Sequence, residues 1–336
     1  MQKYQYNLPL PKNFNENDSS FDKFKNIKPV EFYNPEIIFE KNVRIATNSV
    51  AFRYFKIFKE TCITNNYELY RKNYKFFLKF IFPHFNFSKK RFLLITDEWT
   101  SNYYHWHIFA LTKLLILKNA NLLENSKLFL PKKYKQYPFA LASLKKLGVK
   151  AEQIVFLRRK SNIKVQELVF IKTQQDTKEL SSLGDLIIKN TTQKPLGFGE
   201  KIYISRDGQK LRYVENEKEF VQLVEKYGFK KIIAEKFSYD EQIAIMKEAK
   251  YVISPHGAGL TNILFMKKNS SILEIAPEPH PEKQLSDYYK LASFLGINYF
   301  YHKSEPHSGQ TDSHTATFLI DLEKAEKNIK LMLANG

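Results

Sequence analysis

The chain of 336 residues has one cysteine, Cys62, only 11 glycines and two tryptophans. It has no apolar run near the roughly 18 residues that a membrane-spanning helix needs. A lone cysteine cannot close an internal disulfide or supply the paired thiolates of a zinc site. A disulfide-built fold is therefore excluded, and a reducing compartment is expected. The most apolar stretch, 108–117, is short and carries Lys113. The first twenty residues are polar, so a secretory signal is not expected.

Acidic residues are scarce as well. Fifty-three Lys plus Arg against 35 Asp plus Glu leave a net charge of +18. Such an excess suggests a polyanionic partner: nucleic acid, anionic lipid or a phosphate-bearing substrate. It is densest from Arg53 to Arg91, with ten basic residues against Glu60 and Glu68. Aromatics such as Tyr54, Phe55, Tyr74, Phe77, Phe80 and Phe82 are interleaved there. That mixture suits a membrane interface, a single-stranded nucleic acid, or a buried aromatic core with a solvated lysine rim. No nucleic-acid-binding signature accompanies it, and no nucleic-acid partner is expected.

What is present is a regular alternation. Residues 1–35, with Pro9, Pro11, Pro29 and Pro35, read as an extended lead-in. Strands over 92–96, 127–130 and 153–156 alternate with helices over 102–118 and 138–147, the signature of parallel βαβ units. A polar linker at 190–199 precedes a second series, with strands at 201–205, 230–233, 251–254, 271–275 and 298–301. Ser238 and Glu241 have the form of a capping box, and 318–333 reads as a closing helix. The fold class expected is α/β, with two Rossmann-like domains facing a cleft: 1–190, and 196–316 followed by the helix 317–336. In open α/β sheets the loops after the strands carry the ligands.

The most informative segment is Ser254-Pro-His-Gly-Ala-Gly-Leu-Thr-Asn262. An apolar strand ends, glycines permit close approach of the backbone, and a helix N-terminus supplies N–H groups to an anion. The pattern is neither the dinucleotide fingerprint nor a Walker loop. His256, Gly257, Ala258, Gly259, Leu260, Thr261 and Asn262 are candidate ligand-binding residues. Arg206 and Arg212, after the strand 201–205, could bind phosphate bidentately. Glu274 lies inside an apolar strand, where a carboxylate must be paired or point into a cleft.

This segment, with Ile272-Leu-Glu-Ile-Ala-Pro277 after it, resembles the hallmark of glycosyltransferase family 61. Tyr203-Ile-Ser-Arg-Asp with Arg212 and Asn216-Glu217, and Asn102-Tyr-Tyr-His-Trp-His, resemble two further motifs of that family in the expected order. The resemblance implies a GT-B fold with its closing helix packed back on the N-terminal domain. It implies inverting transfer from a nucleotide-sugar, mostly UDP-linked, with no obligatory metal or cofactor. It also implies that Glu274 meets the ribose hydroxyls. No Asp-x-Asp triplet, the usual metal site of metal-dependent sugar transferases, occurs in the chain.

An inverting transfer needs a general base. His105 is the first candidate, with Asp97 and Glu98 as competitors. The family segment carries an acidic residue four positions after the histidine, where this chain has Phe109. His107 reads as structural, and His280, His302, His307 and His314 read as scattered in loops without metal-site spacing.

The resulting expectation is a bacterial enzyme of capsule, lipopolysaccharide or other surface-glycan synthesis. Its partners would be a nucleotide-sugar donor, a glycan or lipid-linked acceptor and an anionic membrane, at the inner face of the cytoplasmic membrane. The alternatives are a CMP-sugar or sugar-phosphate transferase on the same architecture, or a non-catalytic basic protein binding nucleic acid or membrane.

Overall fold

The computed structural model describes residues 3–73, 75–76, 83–84, 86, 88–158, 161–172, 179–209, 211–277, 286–306 and 316–335. Tyr74, Phe77, Phe80, Phe82, His280, His307 and His314 lie outside the described residues. Two short strands, β1 (Lys3–Tyr6) and β2 (Val30–Tyr33), pair with each other. The rest of the chain forms two compact units, 31–190 (with 1–4) and 191–336 (with 5–30).

The first unit contains β3 (Glu36–Ala46), β4 (Ala51–Arg53), β5 (Lys56–Ile57), β6 (Pro83–His84), β7 (Arg91–Leu94), β8 (Ser126–Pro131), β9 (Ile154–Leu157) and β10 (Asn162–Lys172). Its sheet runs β5-β4-β3-β10-β7-β8-β9, with β6 beside β10. Strands β10, β7, β8 and β9 are parallel, whereas β3 pairs antiparallel with β10 from Asn162↔Ala46 to Lys172↔Glu36. The sheet is therefore mixed, not purely Rossmann-like. Val43, Ile45, Ile163, Val165 and Phe170 from this ladder join Phe92 and Phe129 in one buried core. The helices are α1 (Thr64–Lys72), α2 (103–119), α3 (Pro138–Lys146) and α4 (Leu180–Lys189).

The second unit contains β11 (Lys201–Ile204), β12 (Lys230–Ile232), β13 (Tyr251–Pro255), β14 (Ser271–Pro277), β15 (Asn298–Pro306) and β16 (Phe318–Leu319). Their order is β12-β11-β13-β14-β15-β16, parallel except for β16. The helices are α5 (Glu217–Lys226), α6 (Tyr239–Glu248), α7 (Asp287–Leu295) and α8 (Leu322–Asn335). The capping box holds: Ser238 Oγ accepts the Glu241 N–H, and Glu241 accepts the Ser238 N–H at 2.8 Å.

The closing region differs from expectation in one respect. Ala325, Ile329 and Met332 of α8 enter the core of their own unit, with Tyr203, Phe220 and Phe300, because that stripe matches the apolar face of the sheet. Phe318 and Leu319 are strand, not helix. The segment 5–30 packs as a strap on the second unit. The Lys12 N–H donates to the Tyr299 carbonyl at 2.8 Å, the Asn13 side chain brackets the Tyr301 backbone, and Phe24 stacks edge-on to Tyr289 and Tyr301. Among the described residues, no helix is long and apolar enough to cross a membrane.

Candidate functional site

The order β12-β11-β13-β14-β15 reverses direction between β11 and β13, and ligands of open α/β sheets bind at such switch points. The turns after those two strands carry Arg206 and His256-Gly257, so the fold brings together two motifs fifty residues apart. A Cβ built on Gly257 would lie 2.0 Å from Arg206 Nη1. What disfavours a side chain here is this close approach and not the φ of 167°, which is ordinary extended backbone. Arg206 Nε and Nη2 donate to the carbonyls of Arg212 and Leu211, both at 2.9 Å. Arg212 itself sits at φ 56°, a left-handed conformation costly for a residue with a Cβ. Burial and the Arg212 charge lower the Arg206 pKa, but a guanidinium remains a cation at neutral pH.

Glu274 is 0% exposed. His256 Nδ1–H donates to its Oε1 at 2.5 Å, Ser286 Oγ to the same oxygen at 2.9 Å, and Tyr299 OH to Oε2 at 2.7 Å. Burial alone would raise its pKa. The bond to His256, the nearby imidazole charge and the two hydroxyls hold it below the ordinary carboxylate value instead. The carboxylate is enclosed behind His256 and fixes that ring, whose edge meets the buried Tyr288 at 5.2 Å.

Much of the remaining motif is architecture. The helix expected after the glycine turn is a 3-10 helix, Ala258–Phe265. Leu260, Thr261 and Asn262 are buried within it, and Asn262 Nδ2 donates to Gln242 Oε1 on α6 at 2.9 Å. Ala258 and Gly259 are half-buried, and a Cβ on Gly259 would press Ile204 at 3.1 Å. In the Tyr203–Glu217 motif, Tyr203 OH and Ser205 Oγ both donate to Glu217 Oε1, at 2.8 and 2.5 Å. Asn216 exchanges two hydrogen bonds with the Ile320 backbone and so anchors the start of α8.

In the first unit, β7 lies between β10 and β8, so its carboxyl end is again a switch point. The turn after it carries Asp97 and Glu98, which line a cavity of ≈ 810 Å³ with Ser49, Tyr70, Phe76 and Lys133. Asp97 Oδ1 accepts the N–H groups of Trp99 and Thr100, and Oδ2 lies 3.5 Å from Lys113 Nζ. Glu98 accepts from the Ile63 N–H at 3.2 Å, from Asn66 at 3.4 Å and from Tyr70. Burial outweighs these bonds and raises the Glu98 carboxyl above its usual value. Burial and Glu98 together push the Tyr70 hydroxyl up to about 12.

His105 closes the first turn of α2, whose N-cap is Asn102, and it does not line that cavity. A π-helical stretch, Trp106–Leu111, follows; such stretches occur often at functional sites. Phe109 stacks on the His105 ring at 5.3 Å and 21°, and Trp99 flanks it at 5.3 Å. Where the family pattern places an acid, this chain presents a phenyl face. His107 is structural: it is fully buried, Nδ1 donates to the Tyr103 carbonyl at 2.8 Å, and burial lowers its pKa to about 4. His302 is not in a loop but buried in β15 beside Asn328, and burial lowers it to about 4 as well.

Sequence reasoning missed Ser286, Tyr288 and Tyr299, which enclose the pair, and Tyr70 with Lys132, Lys133 and Lys135 at the cavity. Only the basic run Lys132-Lys133-Tyr134-Lys135 directly after a strand was a visible signal.

The chain matches the glycosyltransferase 61 family model over residues 103–273, half of its length. His105, Arg206, Arg212 and the 256–262 turn fall inside that span; Asp97, Glu98 and Glu274 fall outside it. A curated relative, the EGF domain-specific O-linked N-acetylglucosamine transferase of Drosophila melanogaster, is 33% identical over 100 residues. The aligned part covers 29% of this chain and only 18% of that protein. With the matched span running from the His105 helix through the Arg206 and His256 turns to the strand that bears Glu274, the chain belongs to the glycosyltransferase 61 family.

Proposed function

We propose that this chain is an inverting glycosyltransferase of GT-B type that takes its sugar from a UDP-linked donor without a metal. The observation carrying the donor site is the meeting of Arg206 with the His256-Gly257 turn at the β11/β13 switch point. In this reading Arg206, Arg212 and the N–H groups after Gly257 hold the diphosphate. Because Nδ1 of His256 is committed to Glu274, its ligand contact runs through Nε2. The acceptor hydroxyl oxygen attacks the anomeric carbon as the bond from that carbon to the phosphate oxygen breaks. The hydroxyl proton passes to a base, and the departing UDP keeps the electron pair, with guanidinium groups balancing its charge.

The base we assign is Glu98. It lines a cavity large enough for a sugar, and burial raises its pKa, the direction that makes a carboxylate a stronger base. His105, stacked on Phe109, is the second candidate. The acceptor belongs to bacterial surface polysaccharide in this reading, and the name of the Drosophila relative makes UDP-N-acetylglucosamine the first donor to try. The hairpin tip Tyr54-Phe55, 86% and 85% exposed between Arg53 and Lys56, supports contact with an anionic membrane. Unchanged flotation with phosphatidylglycerol vesicles after Tyr54→Ser/Phe55→Ser would remove that contact.

A thermal-shift screen of nucleotides and nucleotide-sugars tests the donor class. Stabilisation by UDP is expected. A response to CMP-sugars alone would move the chain to the rival class, and no response to any nucleotide would end the reading. Activity should survive EDTA; loss restored by Mn²⁺ would refute metal-free transfer.

A further inference from the structure

The cavity of the first unit has a composition that specifies more than a sugar. It opens at the carboxyl ends of β7 and β8, and its ≈ 810 Å³ lies in the range of small-molecule sites, roughly 300–1,000 Å³. Tyr70 and Phe76, packed on each other at 4.7 Å, give the lining an apolar part, and Asn48, Asn73 and Gln136 add amide groups suited to sugar hydroxyls. At its mouth stands the turn Lys132–Gln136, with Lys132, Lys133 and Lys135 all in the lining.

The two carboxylates of the cavity both act on Lys133, but the three lysines outnumber them. Asp97 is matched by Lys113 and by two backbone N–H groups. Glu98 accepts from Ile63, Asn66 and Tyr70. Among the described residues, Lys132, Lys133 and Lys135 form no ion pair. Lys135 and Lys133 instead lie over the rings of Phe156 and Tyr134, at 4.7 and 5.7 Å, contacts that position an ammonium without cancelling its charge. A solvated rim would explain one or two lysines. Three on a single five-residue turn, beside acids already matched, leave a cavity with net positive potential.

We infer that this cavity takes an acceptor sugar that bears an anionic group, a carboxylate or a phosphate, read by Lys132, Lys133 and Lys135. The inference rests on the acceptor site proposed above and names its substrate class. The anionic group could come from a uronic acid, a sugar phosphate or a lipid-linked phosphate, and a charged sugar is the source that the amide-bearing lining favours.

Calorimetry on the full chain with bound UDP tests this with four probes. They are a hyaluronan tetrasaccharide, glucosamine 6-phosphate, neutral chitotetraose, and citronellyl phosphate as a short lipid phosphate. One of the two charged sugars should bind on the order of tenfold tighter than the neutral one. The advantage should shrink in about 0.5 M salt and vanish in Lys132→Gln/Lys133→Gln/Lys135→Gln. If the triple variant misfolds, Lys133→Gln alone should lose part of it. Equal binding of charged and neutral sugars, no binding of any sugar, or a preference that ignores the lysines overturns the inference. Binding of citronellyl phosphate alone overturns it in favour of a lipid headgroup. UDP affinity is read separately in the same variants: its absence from wild type would count against the donor reading, while a lost sugar preference with UDP bound counts against this one.

Discussion

His256 donates its Nδ1–H to Glu274 across 2.5 Å, from the turn after β13 to the middle of the neighbouring parallel strand β14. The register Ser254↔Glu274 puts the carboxylate behind the ring, and Ser286 and Tyr299 fill its remaining sides. A charge enclosed in this way is tolerated only while its partners remain.

Removing one member should therefore cost stability as well as binding. Glu274→Ala is expected to lose about 3 kcal/mol or more of unfolding free energy, and Glu274→Gln, which keeps a polar group, less. Both should weaken UDP binding because the His256 ring loses its orientation. Denaturant melts and calorimetry read the two effects apart; UDP affinity unchanged in a folded Glu274→Gln would leave the pair purely structural.

Gly257→Ala separates space from chemistry. Its new methyl would meet Arg206 Nη1 at 2.0 Å, and the far end of a flexible side chain can swing away. Stability should change by about 1 kcal/mol or less, while UDP affinity falls roughly tenfold with the displaced guanidinium. Full affinity would show that Arg206 does not touch the donor.

Glu98→Gln should reduce transfer by about 10²–10⁴-fold with UDP binding intact. A base works deprotonated, so the activity of the wild type should rise with pH through an inflection above the usual carboxylate value, the direction in which burial moves Glu98. That inflection should be absent from the residual activity of Glu98→Gln. Near wild-type turnover there, with loss in His105→Ala, would transfer the role to His105.

Acid should destabilise the protein before its carboxylates titrate. His107 and His302 have folded pKa values of about 4 against 6.5 in the unfolded chain. The unfolded state therefore binds more protons between these limits, and stability falls as pH drops from 6.5 to 4, by at most about 3 kcal/mol per histidine. Glu274 follows the same sign at lower pH: its folded pKa is depressed too, so its contribution persists until pH falls below 4.5. Urea melts from pH 7 to pH 4.5 should show this slope, and it should flatten in His302→Gln.

The parallel strands that carry the candidate residues were legible because they are short apolar runs between polar turns. Strands β7, β8, β11, β13 and β14 all fall within a residue or two of where the pattern places them. The long β3–β10 ladder was not legible. Its 11-residue strands mix charge with apolar residues, and an antiparallel pairing across more than a hundred positions leaves no local mark.

The candidate site divides the same way. The sequence by itself determined the α/β class, the family motifs and the glycine turn before the Ala258–Phe265 helix, since strand period and turn chemistry are local properties. Only the tertiary structure decided what those residues face. It enclosed Glu274 behind His256 and stacked Phe109 on His105. It placed Glu98 and three lysines around one cavity and folded α8 onto its own unit. Each depends on contacts between residues distant in the chain, and burial and hydrogen-bond partners are settled by packing rather than by sequence pattern.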